Sequence, residues 1–343
     1  MSAPLSIVQV GVGLWGRSWA ELVARARGFE LAAVVDADKG GRAWAADGLG
    51  VPVFRELGRA LRSVEADAVL LVSPAATHRE LAEAALAAGR HVLTEKPLAT
   101  SFEDAVAIAT AASRSGRRAM VAQNYRFRRQ PRALQQLVRE GALGALLGVR
   151  IACRRDLRAA WISSRDWRGR MPHPYLLDMA IHHVDLLRAI SGREIVVVDA
   201  RSWNVPDAPF RHDPSVEALL TLEGETPVAY EGTWASPLEE TSWNGDWELV
   251  GRRARATWTG GVVDALRGSV VLERYGGPPV RVVLPRLPAL DRLAVLHELR
   301  RAVEDGGEPE CSVADNLRSL AVVLALARST EERRRVRLDE IGS

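Results

Sequence analysis

The chain has 343 residues, a length that sets a prior of about two domains, and its 47% hydrophobic and 26% charged residues are the make-up of a globular protein able to bury sizeable cores. Forty-six basic against 43 acidic residues leave a net charge of only +3, spread along an arginine-biased chain, which argues against nucleic-acid binding. That composition excludes disordered and collagen-like classes; two cysteines, Cys153 and Cys311, offer neither a metal-ligand spacing nor a disulfide framework, so zinc-finger and disulfide-scaffold classes are excluded and a reducing, cytoplasmic setting is expected. Met1 to Val10 shows no signal-peptide pattern. No apolar run reaches the ~20 residues of a membrane span, so no membrane partner is expected.

Taken in order, the apolar run Leu5 to Val10 leads into Gly11-Val-Gly13-Leu14-Trp15-Gly16. Apolar Trp15, Trp19, Leu22, Val23 and Ala26 follow at helical spacing, which predicts strand, glycine loop and helix. Further strands are expected at Glu30 to Val35, Ala66 to Val72, His91 to Thr94 and Arg118 to Ala122. Capping boxes at Thr77 to Glu80 and Ser101 to Asp104 open the helices that stop at Gly89 and Gly116. Alternating strands and helices predict an α/β Rossmann domain, a doubly wound parallel sheet over residues 1–124.

From residue 125 to 343 the pattern becomes α+β. After a helix near Pro131 to Glu140, strands are expected at Ala145 to Arg155, Ile195 to Ser202, Val216 to Leu222, Pro227 to Trp234, Trp247 to Val250, Ala254 to Thr259 and Ser269 to Arg274. One long helix, Tyr175 to Ile190, interrupts them, and helices at Ala289 to Asp305 and Val313 to Arg328 close the chain. This predicts a large open, mainly antiparallel sheet with a helix on one face.

In its strand-to-helix context the glycine loop can make the tight turn and let backbone N–H groups approach a pyrophosphate. Asp36, at the end of the second strand, can accept both adenosine ribose hydroxyls and would repel a 2′-phosphate, so NAD is favoured over NADP even with Lys39 and Arg42 nearby. Lys96 is one of only two lysines and follows a predicted parallel strand at the ligand-binding edge of the sheet, where it can stabilise charge on a substrate oxygen. Asp178 and His182 share a helical face at i, i+4, the arrangement of an imidazole base oriented by a carboxylate. With Asp185 on nearly the same face, a metal site is the alternative, and the expectation is no metal. His183 points about 100° away, toward packing or a substrate hydrogen bond at the rim.

The glycine loop, Asp36, Ser73-Pro74 with Thr77-His78, Glu95-Lys96-Pro97, Tyr125-Arg126 and Asp178-x-x-x-His182 together resemble the glucose-fructose oxidoreductase, inositol dehydrogenase and rhizopine-catabolism (Gfo/Idh/MocA) family over nearly the whole chain. The resemblance implies an NAD(P)-dependent dehydrogenase that forms homodimers or homotetramers through its second-domain sheet. In that reading Lys96 binds the substrate hydroxyl, His182 is the acid/base and Asp178 supports both. Gly11, Gly13, Leu14, Trp15, Gly16, Asp36, Ser73, Pro74, His78, Glu95, Lys96 and Gln123 serve the cofactor, and the Lys96–Pro97 peptide is often cis in relatives. Tyr125, Arg126, Trp161, Trp167 and His183 are the expected substrate contacts. The chain departs from the family at Arg170-Met-Pro-His-Pro-Tyr175, which replaces a glycine-rich approach, and in its doubled histidine.

Seven of the ten tryptophans lie between Trp161 and Trp258, and indole faces stack on sugar rings. Seven arginines between Arg150 and Arg170 against Asp156 and Asp166 suggest either an anionic substrate group or a solvated face. The expected activity is therefore interconversion of a secondary alcohol and a ketone on a sugar, cyclic polyol or related ring. Hydride passes to or from NAD while His182 handles the proton and Lys96 polarises the oxygen. Rival expectations are a glycoside-cleaving enzyme that retains its NAD and a non-catalytic dinucleotide-sensing regulator.

Overall fold

A computed structural model describes residues 3–158, 167–206, 208–237, 239–262, 264 and 266–342. The chain forms two compact units, one of residues 1–124 and 292–317, the other of residues 125–291 and 318–343. The sequence reading placed everything after 124 in the second domain. The structure corrects this by returning 292–317 to the first.

In the first unit, β1 (Leu5–Val10), α1 (Leu14–Arg25), β2 (Phe29–Val35), α2 (Lys39–Leu49), β3 (Val53–Phe54), α3 (Leu57–Ser63), β4 (Ala68–Leu71), α4 (His78–Ala87), β5 (His91–Thr94), α5 (Phe102–Ser115) and β6 (Ala119–Val121) alternate along the chain. Six parallel strands lie in the order β3-β2-β1-β4-β5-β6, the doubly wound Rossmann arrangement. Covered on both faces, its central strands are apolar throughout: Ile7, Val8, Val69, Leu70, Val92 and Leu93 are fully buried. Helix α1 buries Gly16, Trp19, Ala20 and Val23, one stripe at i, i+3, i+4, i+7. Helix α5 is capped by the Ser101 hydroxyl, which accepts from the Asp104 N–H at 3.1 Å, and ends at left-handed Gly116. The Thr77 capping box does not form. The Thr77 hydroxyl donates instead to the Pro74 carbonyl at 2.8 Å, and a short 3-10 turn precedes α4.

In the second unit, α6 (Arg129–Arg139), β7 (Leu146–Arg154), α7 (Trp167–Arg170) and α8 (Ile181–Ser191) precede β8 (Ile195–Trp203), β9 (Ser215–Leu222), β10 (Thr226–Thr233), β11 (Asp246–Gly251), β12 (Ala254–Gly260), β13 (Gly268–Arg274) and β14 (Pro279–Arg281). The chain ends with α9 (Asp291–Asp305), α10 (Val313–Glu332) and β15 (Val336–Arg337). Nine strands form one sheet in the order β14-β13-β12-β11-β7-β10-β9-β8-β15, and among the described residues only β7 and β10 pair in parallel. Alternate residues of β10 and β11 are buried, so one face carries the core, with Trp234, Trp247 and Trp258 inside it. Gly232 on β10 makes room for the Tyr175 ring, with which any Cβ at that position would collide.

The expected long helix from Tyr175 is two pieces. Leu176–Ala180 is a π turn in which the Ile181 N–H reaches back five residues to the Leu176 carbonyl, and α8 follows. Such turns re-aim side chains and concentrate at functional positions. Among the described residues no helix is long and apolar enough to cross a membrane.

Candidate active site

In the first unit the candidate cofactor residues lie at the carboxyl ends of β1, β2, β4 and β5. Gly11 has φ +93°, and a Cβ there would stand 2.7 Å from the Val72 carbonyl oxygen. A Cβ on Gly16 would collide with the Gly11 carbonyl. At Gly13 an added Cβ would meet nothing within 4 Å. Two glycines are thus required by the fold itself, and the middle one keeps space open at the start of α1. No side chain caps that helix, and Leu14 in its first turn is 85% exposed, which leaves the first-turn N–H groups and the positive end of the helix dipole for an anionic ligand.

Gln9, which the sequence reading missed, fastens the loop from inside. Its Nε2 donates to the Gly11 carbonyl at 2.9 Å and to the Gly16 carbonyl at 2.7 Å. Asp36 is half-buried beside the loop, with Oδ2 accepting from the Val12 N–H at 2.7 Å and Oδ1 from the Asp38 N–H at 2.8 Å. Both oxygens keep lone pairs for ribose hydroxyls. Arg42 donates to the backbone carbonyls of Asp36 and Ala37. These residues fit NAD: an open cradle at Gly13, an uncapped helix start and a carboxylate at the second strand.

Lys96 is held by its neighbours. Glu95 is 8% exposed. Its Oε1 accepts from the indole N–H groups of Trp15 at 2.8 Å and Trp19 at 2.6 Å, while Oε2 accepts from the Lys96 backbone N–H at 3.0 Å. The Arg292 guanidinium lies 4.5 Å from the Trp15 ring and 5.3 Å from the Trp19 ring, and donates to the Ser18 hydroxyl at 2.7 Å. The Lys96–Pro97 peptide is cis. His78, expected along the cofactor, is buried as a brace. Its Nδ1 is 3.1 Å from the Pro97 and Leu98 carbonyls and its Nε2 is 3.0 Å from the Ser73 carbonyl, which ties the two turns together. Burial lowers its pKa from the ordinary 6.5. Ser73 lies partly exposed at the end of β4 with its hydroxyl 2.8 Å from that of Thr77, and Pro74 is exposed beside it. Gln123 is buried just past β6.

In the second unit Asp178 lies in the π turn and accepts from Arg168 Nε at 3.2 Å. His182, in the first turn of α8, is 6% exposed and stacks flat on Tyr125, with ring centroids 4.1 Å apart and planes 7° from parallel. The Arg128 guanidinium carbon is 3.5 Å from the same Tyr125 centroid. Burial pushes the Tyr125 phenol up to about 12.

Two expected substrate contacts are corrected. Arg126 is buried and spent on Asp185, its Nε and Nη2 each reaching a carboxylate oxygen at 2.6 Å, with the Ser319 hydroxyl donating to Asp185 at 2.9 Å. That fork also commits Asp185, which weakens the metal alternative. His183 reaches no rim and takes the packing role that was the other expectation for it. It is fully buried, with Nδ1 2.9 Å from the Tyr230 hydroxyl and Nε2 3.0 Å from the Trp243 carbonyl, and burial depresses its pKa to about 4. It donates from Nε2 to the carbonyl and accepts from the phenol. Five of the seven arginines between Arg150 and Arg170 form ion pairs, Arg150–Glu248, Arg154–Glu231, Arg155–Glu240, Arg158–Asp156 and Arg168–Asp178, and Arg165 lies outside the described residues. Trp161 and the Trp167 ring lie outside the described residues.

A doubly wound sheet whose glycine loop and terminal carboxylate suit a dinucleotide, in a chain that also carries a lysine turn and a helix-borne imidazole, defines the class of nicotinamide-dependent oxidoreductases. Residues 5–123 match the family model described as oxidoreductase family, NAD-binding Rossmann fold, and residues 132–257 match the GFO/IDH/MocA C-terminal domain. The chain belongs to the Gfo/Idh/MocA family and is an NAD(P)-dependent oxidoreductase acting on CH–OH groups. It is 26% identical to D-apiose dehydrogenase of Paraburkholderia graminis over 97% of this chain and 89% of that one. It is 30% identical to inositol 2-dehydrogenase 3 of Saccharopolyspora erythraea over 63% and 62%. The fold matches a crystal structure of an oxidoreductase from Agrobacterium radiobacter in complex with NAD+, L-tartaric acid and magnesium, with TM-score 0.88 and 20% identity over 98% of this chain and 99% of that one.

Proposed function

We propose that this protein oxidises a secondary alcohol on a sugar, cyclic polyol or related ring with NAD, or reduces the corresponding ketone in reverse. The observation that carries the reading is the presentation of His182: an imidazole on a buried helix, flat against Tyr125, in the same unit as an Arg168-paired Asp178. NAD, when bound, supplies the acceptor or donor of hydride. His182 takes the hydroxyl proton onto a ring nitrogen and returns it in the reverse direction. Asp178 favours the orientation and charge that this proton transfer needs. Lys96 donates from Nζ to the substrate oxygen and stabilises its developing negative charge, while Glu95 fixes the turn that presents it.

The relatives named for D-apiose and inositol support a polyhydroxylated substrate. Self-association through the exposed face of the nine-stranded sheet, where Leu219 is 64% exposed, belongs to the same reading, and light scattering of the purified protein tests it. The activity is tested by NADH absorbance with NAD or NADP against a panel of inositols, aldoses, anhydrosugars, uronic acids and glycosides. NADH accumulating with a ring alcohol supports the proposal. No turnover in either direction across alcohols and ketones refutes it.

A further inference from the structure

The two successive histidines of α8 are gripped in different ways. His183 is fixed by hydrogen bonds to the Tyr230 hydroxyl and the Trp243 carbonyl. His182 has a ring laid flat against it. The χ2 torsion of an imidazole is broad, so a backbone and a χ1 rotamer leave the plane of the ring undetermined. A second ring lying parallel at 4.1 Å removes that freedom only if it is itself immobile.

Tyr125 is immobilised from its far side. Arg128 Cζ at 3.5 Å and the His182 ring at 4.1 Å from one centroid are each at contact distance, so they occupy opposite faces of Tyr125. Arg128 is 5% exposed and anchored in turn. Its Nε and Nη2 donate to Asp291 Oδ2 at 2.8 Å and 2.6 Å, and its Nη1 donates to Asn244 Oδ1, whose residue is fully buried. A planar guanidinium held at three nitrogens is a rigid plate, and its attraction to the ring face holds the phenol in place.

We propose that Arg128 is a positioning residue for the reaction: pinned by Asp291 and Asn244, it presses Tyr125 against His182 and sets the plane of the imidazole. The proposal rests on the reading of His182 as the acid/base. It gives Arg128 a job at a distance from the substrate, and it distinguishes Arg128 from Arg126, whose charge is spent on Asp185.

The test is proton–nitrogen NMR of the histidine rings in the full-length protein with and without NAD, the His182 signals being assigned by their loss in His182→Ala. In Arg128→Met and in Tyr125→Leu the His182 ring signals should move in the same direction as the ring-current shift from Tyr125 is lost, with the His183 signals unmoved in Tyr125→Leu. Tyr125→Phe, which keeps the ring, should keep the His182 signals. With the alcohol that turns over best in the panel, Arg128→Met should lower kcat by about 10- to 100-fold with the NAD dissociation constant unchanged. Arg128→Lys should restore only part, because an ammonium cannot lie flat on the ring. Should Arg128→Met not fold, the comparison of Tyr125→Leu with Tyr125→Phe carries the test. His182 signals unmoved in Arg128→Met or in Tyr125→Leu would overturn the proposal. Full activity of His182→Ala would instead overturn the acid/base reading, and the NMR result would still decide the clamp.

Discussion

Alanine substitutions at the three loop glycines should separate fold from cofactor binding. Gly11→Ala places a side chain at φ +93° and 2.7 Å from the Val72 carbonyl oxygen. The left-handed conformation costs about 1–2 kcal/mol and the overlap about 1–3 kcal/mol more. A loss near 3 kcal/mol corresponds to a fall in Tm of roughly 6–12 °C for a unit of this size. Gly16→Ala meets the Gly11 carbonyl and should fall by a similar amount.

Gly13 is different. Its φ of −59° and ψ of −173° suit any residue, and an added methyl group meets nothing. The gain of about 0.4–1 kcal/mol from a stiffer unfolded chain is offset by a weaker helix cap of similar size. The Tm of Gly13→Ala without cofactor should therefore stay within about 2 °C of wild type, while NAD affinity drops about 10- to 100-fold, the equivalent of 1–3 kcal/mol of crowding. Scanning calorimetry without cofactor and titration calorimetry with NAD give both quantities. Unchanged NAD affinity in Gly13→Ala, or a Tm loss like that of Gly11→Ala, would refute the placement of the dinucleotide at this loop.

Other outcomes follow from the same geometry. Asp36→Ser should weaken NAD binding about tenfold or more, the worth of hydrogen bonds to a charged acceptor, and narrow the preference over NADP; parallel titrations with the two cofactors check this. Glu95→Gln turns an amide N–H toward either the indoles or the Lys96 N–H, costing on the order of 1–3 kcal/mol, so Tm and kcat should fall together, and a normal kcat would separate Lys96 from its turn. Arg126→Met takes the bidentate partner from the buried Asp185 carboxylate, leaving it the Ser319 hydroxyl and the Arg188 guanidinium at 4.0 Å, and should cost about 3 kcal/mol in denaturant unfolding without altering NAD affinity. His183 has its folded pKa depressed from 6.5 to about 4, so the unfolded chain binds more protons in between. Its contribution is complete above pH 6.5 and is lost as pH falls toward 4, by about 3 kcal/mol in all. Lowered His78 adds loss in the same direction. Tm measured across this range should fall with acidification, and His183→Gln should flatten part of that slope.

The first unit was legible because its signals are local. A buried parallel strand is an apolar run, and a glycine loop between a strand and a helix is a short motif, so Leu5–Val10 and His91–Thr94 emerge at the bounds expected of them. Ser101 caps its helix as its spacing indicates. Thr77 does not, because a neighbouring carbonyl competes for its hydroxyl. The strands of the second unit were also readable from alternation, but their order was not, since β7 lies between β11 and β10 and pairs with them in opposite senses. The return of residues 292–317 to the first unit is a long-range fact with no sequence signature.

At the site, the sequence identified residue types and missed their environments. Arg126 and His183 looked available because burial is invisible in a linear pattern, and each turned out to be occupied by partners far along the chain, Asp185 and Tyr230. Arg128, Gln9 and Trp19 carried no motif, and their roles come only from what they touch. The π turn that carries Asp178 just before α8 has no signature in the residue spacing, which read the segment as one continuous helix.

The central claim is tested most directly by following NADH formation in the ring-alcohol panel with wild type and His182→Ala side by side, with NAD binding measured on both. The account predicts turnover of at least one ring alcohol by wild type, abolished in His182→Ala, with NAD affinity nearly unchanged. Turnover retained by His182→Ala would contradict it.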